Sequence, residues 1–105
     1  MSYTIEVNHR VTFNHLKLLQ LTTYEAANRF GAGTVTLYRH LLKGPEGLLI
    51  YTGSKLAMQF DKFYNVRATV KRYERLYGTQ YVRLKRPKII RELSHFDLDR
   101  EPALI

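Results

Sequence analysis

Two groups of side chains in this sequence have the chemistry to contact a polyanion. Arginine and hydroxyl side chains hydrogen-bond to base edges, and lysine and arginine neutralise phosphates. The group that predicts base contacts comprises Thr34, Val35, Tyr38 and Arg39. The group that predicts phosphate contacts comprises Lys43, Arg67, Lys71, Arg72 and Arg75. These residues are chemically useful only if regular secondary structure presents each group on one exposed face.

Capping signals predict that residues 22–44 form two short helices. Thr22 is a suitable N-cap, and Glu25 completes a capping box, so the first helix is expected to begin at Tyr24. Gly31 is expected to end that helix in a tight turn. The second helix is expected over residues 34–43, because the glycine and proline that follow stop helices. Its outward face would carry the predicted base-contacting residues.

The residues EAA, FG and YRHL in this stretch resemble the helix-turn-helix superfamily of phage and plasmid transcriptional regulators. They are also similar to the helix-turn-helix repeats that accompany homing nucleases. This resemblance covers about a fifth of the chain, and it implies a DNA-binding helix pair rather than one particular family. Gly33 and His40 depart from the usual pattern of the motif. An αα-hairpin with only a packing role is the alternative.

Periodicity elsewhere predicts a mixture of strands and helices. Alternation of apolar and polar residues predicts strands over residues 3–7 and 81–85, a turn after the first of these predicts a second strand over residues 10–13, and a short apolar run predicts one over residues 48–51. Helical spacing predicts helices over residues 15–21, 55–63, 66–78 and 89–96. We therefore expect an α+β, mainly helical domain with a small antiparallel sheet. A winged variant, and a second helix-turn-helix within residues 54–78, stay open as alternatives.

The charge distribution supports a nucleic-acid partner. The chain has 105 residues and a formal net charge of +8. Residues 54–96 contain 11 basic and 3 acidic side chains, so most of the excess follows the predicted helix pair. Such a surface attracts polyanions, of which nucleic acid is the first candidate and acidic lipid the second. We expect one domain over residues 1–96 and an acidic flexible tail over residues 97–105.

The sequence contains no pattern typical of an enzyme, metal or cofactor site. It has no cysteine, its four histidines have no metal-ligand spacing, and no glycine-rich phosphate loop follows a strand. We therefore expect a non-enzymatic protein without a cofactor. No apolar run is long enough for a membrane helix, and no signal peptide is evident, so a cytoplasmic location without membrane binding is expected.

Together these patterns predict a sequence-specific protein that binds double-stranded DNA and regulates transcription in a phage, plasmid or other mobile element. A homodimer on two half-sites is expected, since one short helix rarely specifies a site, and RNA polymerase or a host protein is a further candidate partner. Three alternatives stay open. They are an accessory DNA-binding protein of a partition, origin, integrase or nuclease system, an RNA-binding protein, and an interaction protein that blocks a host enzyme.

Overall fold

The computed structural model of the protein describes residues 4–94, and within them the regular secondary structure consists entirely of strands. Long runs of β-branched and aromatic residues, such as the threonines and valine at the start of the second strand, favour this extended backbone. The five strands are β1 (Arg10–Ala27), β2 (Thr34–Gly44), β3 (Gly47–Gly53), β4 (Phe63–Leu76) and β5 (Thr79–Leu93).

The strands close into a barrel with the order β1-β2-β3-β5-β4. Four of the five pairings are antiparallel, and β3 runs parallel to β5 over the four pairs from Leu48 with Tyr81 to Tyr51 with Leu84. Sequential neighbours β3 and β4 are therefore not paired, and β5 lies between them. A five-stranded Greek-key barrel of this kind has the architecture of the OB-fold.

The first strand, β1, pairs with different strands along its two halves and so closes the barrel. Its residues from Arg10 to Lys17 pair with β4, and its residues from Lys17 onwards pair with β2. Two register shifts, between Phe13 and Leu16 and between Leu18 and Gln20, interrupt these ladders. Bulges bend a strand and increase its twist, so they allow one strand to turn from one side of the barrel to the other.

Apolar side chains on the inner faces of the strands fill the barrel. Leu16 and Leu18 alternate inward on β1, and Val66, Ala68 and Val70 do so on β4. This period of two is the expected pattern when one face of a strand is buried. The remaining members of the core are Phe13, Leu42, Leu49, Met58, Tyr64, Val82 and Leu84.

The connection between β3 and β4, residues 54–62, is irregular and packs Met58 and Leu56 against the core. His40 of β2, which is completely buried, anchors this connection. Its Nε2 accepts a hydrogen bond from the backbone N–H of Leu56 at 3.1 Å, and its Nδ1 lies 3.1 Å from the carbonyl oxygen of Tyr51. Both contacts are satisfied at once only by a neutral imidazole with its proton on Nδ1. Burial accordingly lowers the pKa of His40 from its ordinary value of 6.5.

The predicted mainly helical α+β fold is wrong, and so are the helix-turn-helix and its winged variant. Residues 22–27 and 34–43 lie in β1 and β2, which are paired to each other, for example Thr22 with Arg39. The threonine, valine and tyrosine residues in both segments favour strands, and pairing across a hairpin outweighs the capping signals. Within these residues the inward positions are His40 and Leu42, which are two residues apart, as in a strand and not as on one face of a helix.

The other predicted helices are also strands or loops. Residues 15–21 lie in β1, residues 66–76 in β4, and residues 89–93 in β5, while residues 55–62 are irregular. The strands predicted over residues 10–13, 48–51 and 81–85 are confirmed, although the last pairs with β3 and β4 rather than with an N-terminal strand.

The strand predicted over residues 3–7 does not form within the described part, where residues 4–9 are irregular. They are held against β4 because Tyr73 donates a hydrogen bond to the carbonyl of Ile5. The predicted acidic tail, residues 97–105, lies outside the described residues.

The buried His40 predicts a stability loss on mild acidification. The unfolded chain binds a proton on His40 near pH 6.5 whereas the folded chain resists it, so the free energy of unfolding should fall as the pH drops below 6.5. Denaturant unfolding at about pH 7.5 and about pH 5.5 measures this change. His40→Leu should reduce the difference between the unfolding free energies at these two pH values. It should also lower the unfolding free energy by roughly 1–3 kcal/mol at the higher pH, because the N–H of Leu56 and the carbonyl of Tyr51 lose their partner. His9→Gln, at an exposed histidine, is the control and should keep the pH dependence of the unfolding free energy. An unchanged pH dependence in His40→Leu would contradict the prediction.

Candidate functional site

A groove of about 290 Å³ lies between the outer face of the β1–β2 pair and the β4–β5 hairpin. Its walls combine an arginine, two tyrosines, two further polar side chains and two leucines. They are Gln20, Thr22, Arg39, Leu41, Leu76, Tyr77 and Tyr81. Four strands of the barrel thus contribute to one concave surface, which is the usual form of a binding site.

The register of the barrel explains why these residues meet. Thr22 of β1 lies opposite Arg39 of β2, and Gln20 lies opposite Leu41, so all four project from the same outer face. Tyr81 projects from β5 beside this face, because β5 pairs in parallel with β3, the neighbour of β2. The closure of the barrel therefore brings the β4–β5 hairpin alongside the β1–β2 pair.

Tyr77 stands at the tip of the β4–β5 hairpin. Leu76 and Thr79 form the last pair of the hairpin, and Tyr77 and Gly78 form the two-residue turn with φ angles of 50° and 79°. Positive φ at both positions is typical of a type I′ turn, which favours asparagine or glycine. A tyrosine in this conformation is unfavourable for the backbone, and its side chain is fully exposed. Stability therefore does not account for a tyrosine at this position.

Arg39 is the cation of the groove. It is exposed, and among residues 4–94 it forms no ion pair with a carboxylate. Lys43 projects from the same face of β2, since the two positions are four residues apart along a strand without a bulge. The face that borders the groove therefore carries positive charge that the described part of the chain leaves available to an anion.

Glu74 organises the charges of the β4–β5 hairpin. The Arg83 guanidinium donates to both of its carboxylate oxygens, from Nε at 2.8 Å and Nη2 at 3.1 Å, and Arg72 donates from Nε at 3.0 Å. These contacts, that of Arg83 first, lower the pKa of Glu74 from 4.5 to about 2. The cluster carries one net positive charge, and it stiffens the hairpin that presents the two tyrosines.

The predicted base-contacting residues do not form one surface. Arg39 alone lines the groove. Thr34 and Val35 are exposed at the start of β2, away from the groove lining, and the Thr34 hydroxyl donates to Glu25. Tyr38 is half-buried and projects from the face of β2 opposite to that of Arg39, because adjacent residues of a strand point to opposite sides.

The predicted phosphate-binding residues are dispersed over β2 and β4. Arg67 is exposed opposite Thr12 and Lys88, ten residues from the hairpin tip, which is about 30 Å of strand. Lys71 is exposed at the register shift between Val70 and Arg72. Arg72 is engaged by Glu74, and Arg75 donates to the carbonyl of Gly78 within the hairpin.

Sequence reasoning missed Gln20, Thr22, Tyr77 and Tyr81 as groove residues. A signal for the two tyrosines is present in the sequence, because Tyr77-Gly78 separates two segments rich in β-branched and aromatic residues. Such an arrangement predicts a two-residue hairpin turn. The positions of Gln20 and Thr22 depend on the bulge in β1, for which the sequence gives no comparable signal.

No protein-family model, curated protein or solved structure matches the chain. Within residues 4–94, no three histidine or acidic side chains come close enough together to hold a metal ion. The same part of the chain contains no helix of the length and apolar character needed to cross a membrane.

The Glu74 cluster predicts an acid-sensitive hairpin. Because the folded-state pKa of Glu74 is depressed, its contribution to stability should be complete above pH 4.5 and should disappear as the pH falls towards about 2. Glu74→Gln should lower the free energy of unfolding by about 1 kcal/mol near neutral pH, and the deficit should shrink at about pH 3. Glu92→Gln is the control, since the ion pair that Glu92 forms among residues 4–94 is an exposed one with Lys62. Equal effects of the two variants at both pH values would contradict the assigned role.

Proposed function

We propose that this protein binds single-stranded nucleic acid in the groove between the β1–β2 pair and the β4–β5 hairpin. The observation that carries the proposal is the presence, around one concave surface, of two tyrosines and an arginine that forms no ion pair with the described residues. Unpaired bases stack on aromatic rings, and a nearby cation neutralises the phosphates that connect them. The groove supplies both kinds of contact within reach of a few nucleotides.

The conformation of Tyr77 supports this role. Residues held in an unfavourable backbone region are enriched at functional sites, where binding compensates for the local cost. A fully exposed ring at a turn tip has no partner in the described chain, but it is well placed to stack on a base that enters the groove. Tyr81, which is half-buried, would form the more rigid surface beside it.

Single strands suit this groove better than a duplex. The helix that was expected to enter the major groove of DNA is absent from the described residues, and with it the predicted means of reading a double-stranded site. In a duplex the faces of the bases are stacked on one another, so tyrosine rings cannot reach them without unpairing. Stacking is also tolerant of sequence, which favours weak rather than strict sequence preference.

The architecture and net charge are consistent with the same partner. OB-fold barrels bind oligonucleotides or oligosaccharides on the face of strands 2 and 3 together with the 1–2 and 4–5 loops. This similarity is an analogy between folds and does not establish function by itself. The net charge of +8 favours a polyanion over a neutral sugar chain.

Removing the ring of Tyr77 should weaken binding to a single strand. Tyr77→Ala should cost roughly 1–3 kcal/mol of binding free energy to a fluorescent oligonucleotide, because one stacking surface is lost, whereas Tyr77→Phe should bind almost normally. Fluorescence anisotropy with single-stranded DNA, single-stranded RNA and duplex DNA measures the affinities. Phe60→Ala, at an exposed aromatic residue outside the groove lining, is the matched control. Tighter binding of the duplex, or equal effects of Tyr77→Ala and Phe60→Ala, would overturn the proposal.

The salt dependence of nucleic-acid binding should distinguish Arg39, in the groove, from the exposed Arg67. If Arg39 contacts a phosphate, Arg39→Ala should reduce the slope of log affinity against log salt by about 0.7, the value for one contact to a single strand. Arg67→Ala removes the same charge about 30 Å of strand away from the hairpin tip and should change the slope less. Titrations at several salt concentrations measure both slopes. A larger reduction for Arg67→Ala would place the nucleic acid on another face of the barrel.

A further inference from the structure

The β1–β2 hairpin extends beyond the barrel as a two-stranded ribbon, made of residues 22–27 of β1 and residues 34–37 of β2. β1 pairs with β4 only as far as Lys17, and β2 pairs with β3 only from Tyr38 onwards. Each strand of the ribbon therefore has one edge that no described strand covers. The molecule measures 51 Å along its longest axis and 26 and 25 Å along the others, so it is markedly elongated.

Hydrogen-bond alternation shows which groups face the free edge of β1. The backbone N–H of Asn28 donates to the carbonyl of Gly33 at 3.1 Å at the end of the ribbon. In an antiparallel ladder, bonded and non-bonded pairs alternate, so Ala26 and Tyr24 also direct their backbone groups towards β2. The N–H and C=O groups of Thr23, Glu25 and Ala27 point the other way, into the free edge.

This edge lacks most of the features by which proteins normally prevent strand addition. Edge strands are commonly blocked by charged side chains, above all lysine, by proline or by a bulge, and on this edge Glu25 is the single charged residue. Residues 22–27 read TTYEAA and include neither lysine nor proline, and the β1 bulge precedes them. The edge is also partly apolar, since Tyr24 is 44% exposed.

The charge of the ribbon favours a second copy of this chain as its partner. Residues 19–38 contain only Glu25 and Arg29 as charged side chains, so this part is neutral within a chain of net charge +8. Two copies repel each other over most of their surfaces, but they can approach ribbon to ribbon without that penalty. Beyond Thr22, which lines the groove, the same neutrality gives a polyanion little reason to bind the ribbon.

We propose that the protein dimerises by antiparallel pairing of residues 22–26 with the same residues of a second copy, joining the two ribbons into one four-stranded sheet. A two-fold axis makes any edge strand complementary to itself. With the axis at Tyr24, the two Tyr24 side chains lie side by side and each Thr23 pairs with a Glu25. With the axis at Glu25, the two carboxylates would face each other directly, which is destabilising. This proposal does not depend on nucleic-acid binding.

A matched pair of proline variants tests the proposal. Sedimentation equilibrium over a concentration series should give twice the 12.4 kDa chain mass for the unmodified protein. Thr23→Pro removes an N–H from the free edge of β1 and should give a monomer. Thr36→Pro does the same on the free edge of β2, since Thr36 lies opposite Glu25, and should leave the dimer intact. Circular dichroism checks that both variants keep the strand content of the unmodified chain.

A disulfide provides a second readout that does not depend on proline. The chain has no cysteine, so Tyr24→Cys introduces a single thiol, which should form a covalent dimer on mild oxidation because two copies of residue 24 adjoin. Thr36→Cys, on the opposite edge, should remain largely uncrosslinked. A monomeric unmodified protein, a dimer that survives Thr23→Pro, or equal crosslinking of the two cysteine variants would overturn the proposal. The proposal would also be overturned if the unmodified protein were monomeric and Thr23→Pro lowered its affinity for an oligonucleotide, because the free edge of β1 would then bind nucleic acid.

Discussion

The architecture of this protein depends on a first strand that changes its partner half-way along its length. β1 pairs with β4 through its first half and with β2 through its second, and Lys17 participates in both ladders. Such a strand must bend strongly, and the two register shifts in β1 allow it to do so. The bend closes the barrel, directs the end of β1 outward as a ribbon, and leaves the outer faces of Gln20 and Thr22 opposite the β4–β5 hairpin. The groove and the ribbon are therefore two results of the same distortion.

The charged residues of the barrel divide into those engaged within the chain and those available to a partner. Arg72 and Arg83 are engaged by Glu74, Lys62 pairs with Glu92, and Lys85 donates to Asn8. Arg39 and Lys43 are exposed on the face that borders the groove. A count of basic residues along the sequence cannot make this distinction, because it depends on which side chains the register places together. The segment with the highest density of positive charge, after residue 54, consequently contributes tyrosines to the candidate site but not its cation, which is Arg39 of β2.

The sequence predicted several local features and failed at the level of the fold. The short strands at residues 10–13, 48–51 and 81–85 had local signals, and Arg39 is exposed as predicted, although it lies on a strand and not on a helix. The sequence did not predict β4, because a register shift at Lys71 interrupts the alternation of the inward residues Val66, Ala68 and Val70. Because a bulge inserts one residue, the spacing of Val66, Val70, Tyr73 and Tyr77 fits one face of a helix as well as it fits a bulged strand. The alanines and glycines of residues 26–33, which resemble a helix-turn-helix elbow, instead occupy the end of a hairpin, where small residues are equally suitable. Neither ambiguity can be resolved without the partner strands.

The parallel contact of β3 with β5 has a consequence for how this chain acquires its structure. Leu48 pairs with Tyr81 and Tyr51 pairs with Leu84, so the barrel closes only when segments 33 residues apart come together. Local hairpins can appear early, but this last ladder requires a long loop to be ordered first, which slows the search for the native arrangement. During synthesis on the ribosome the barrel stays open until β5 has left the exit tunnel. Until then the inner faces of β3 and β4 are exposed to solvent, and the nascent chain is at its most vulnerable to aggregation.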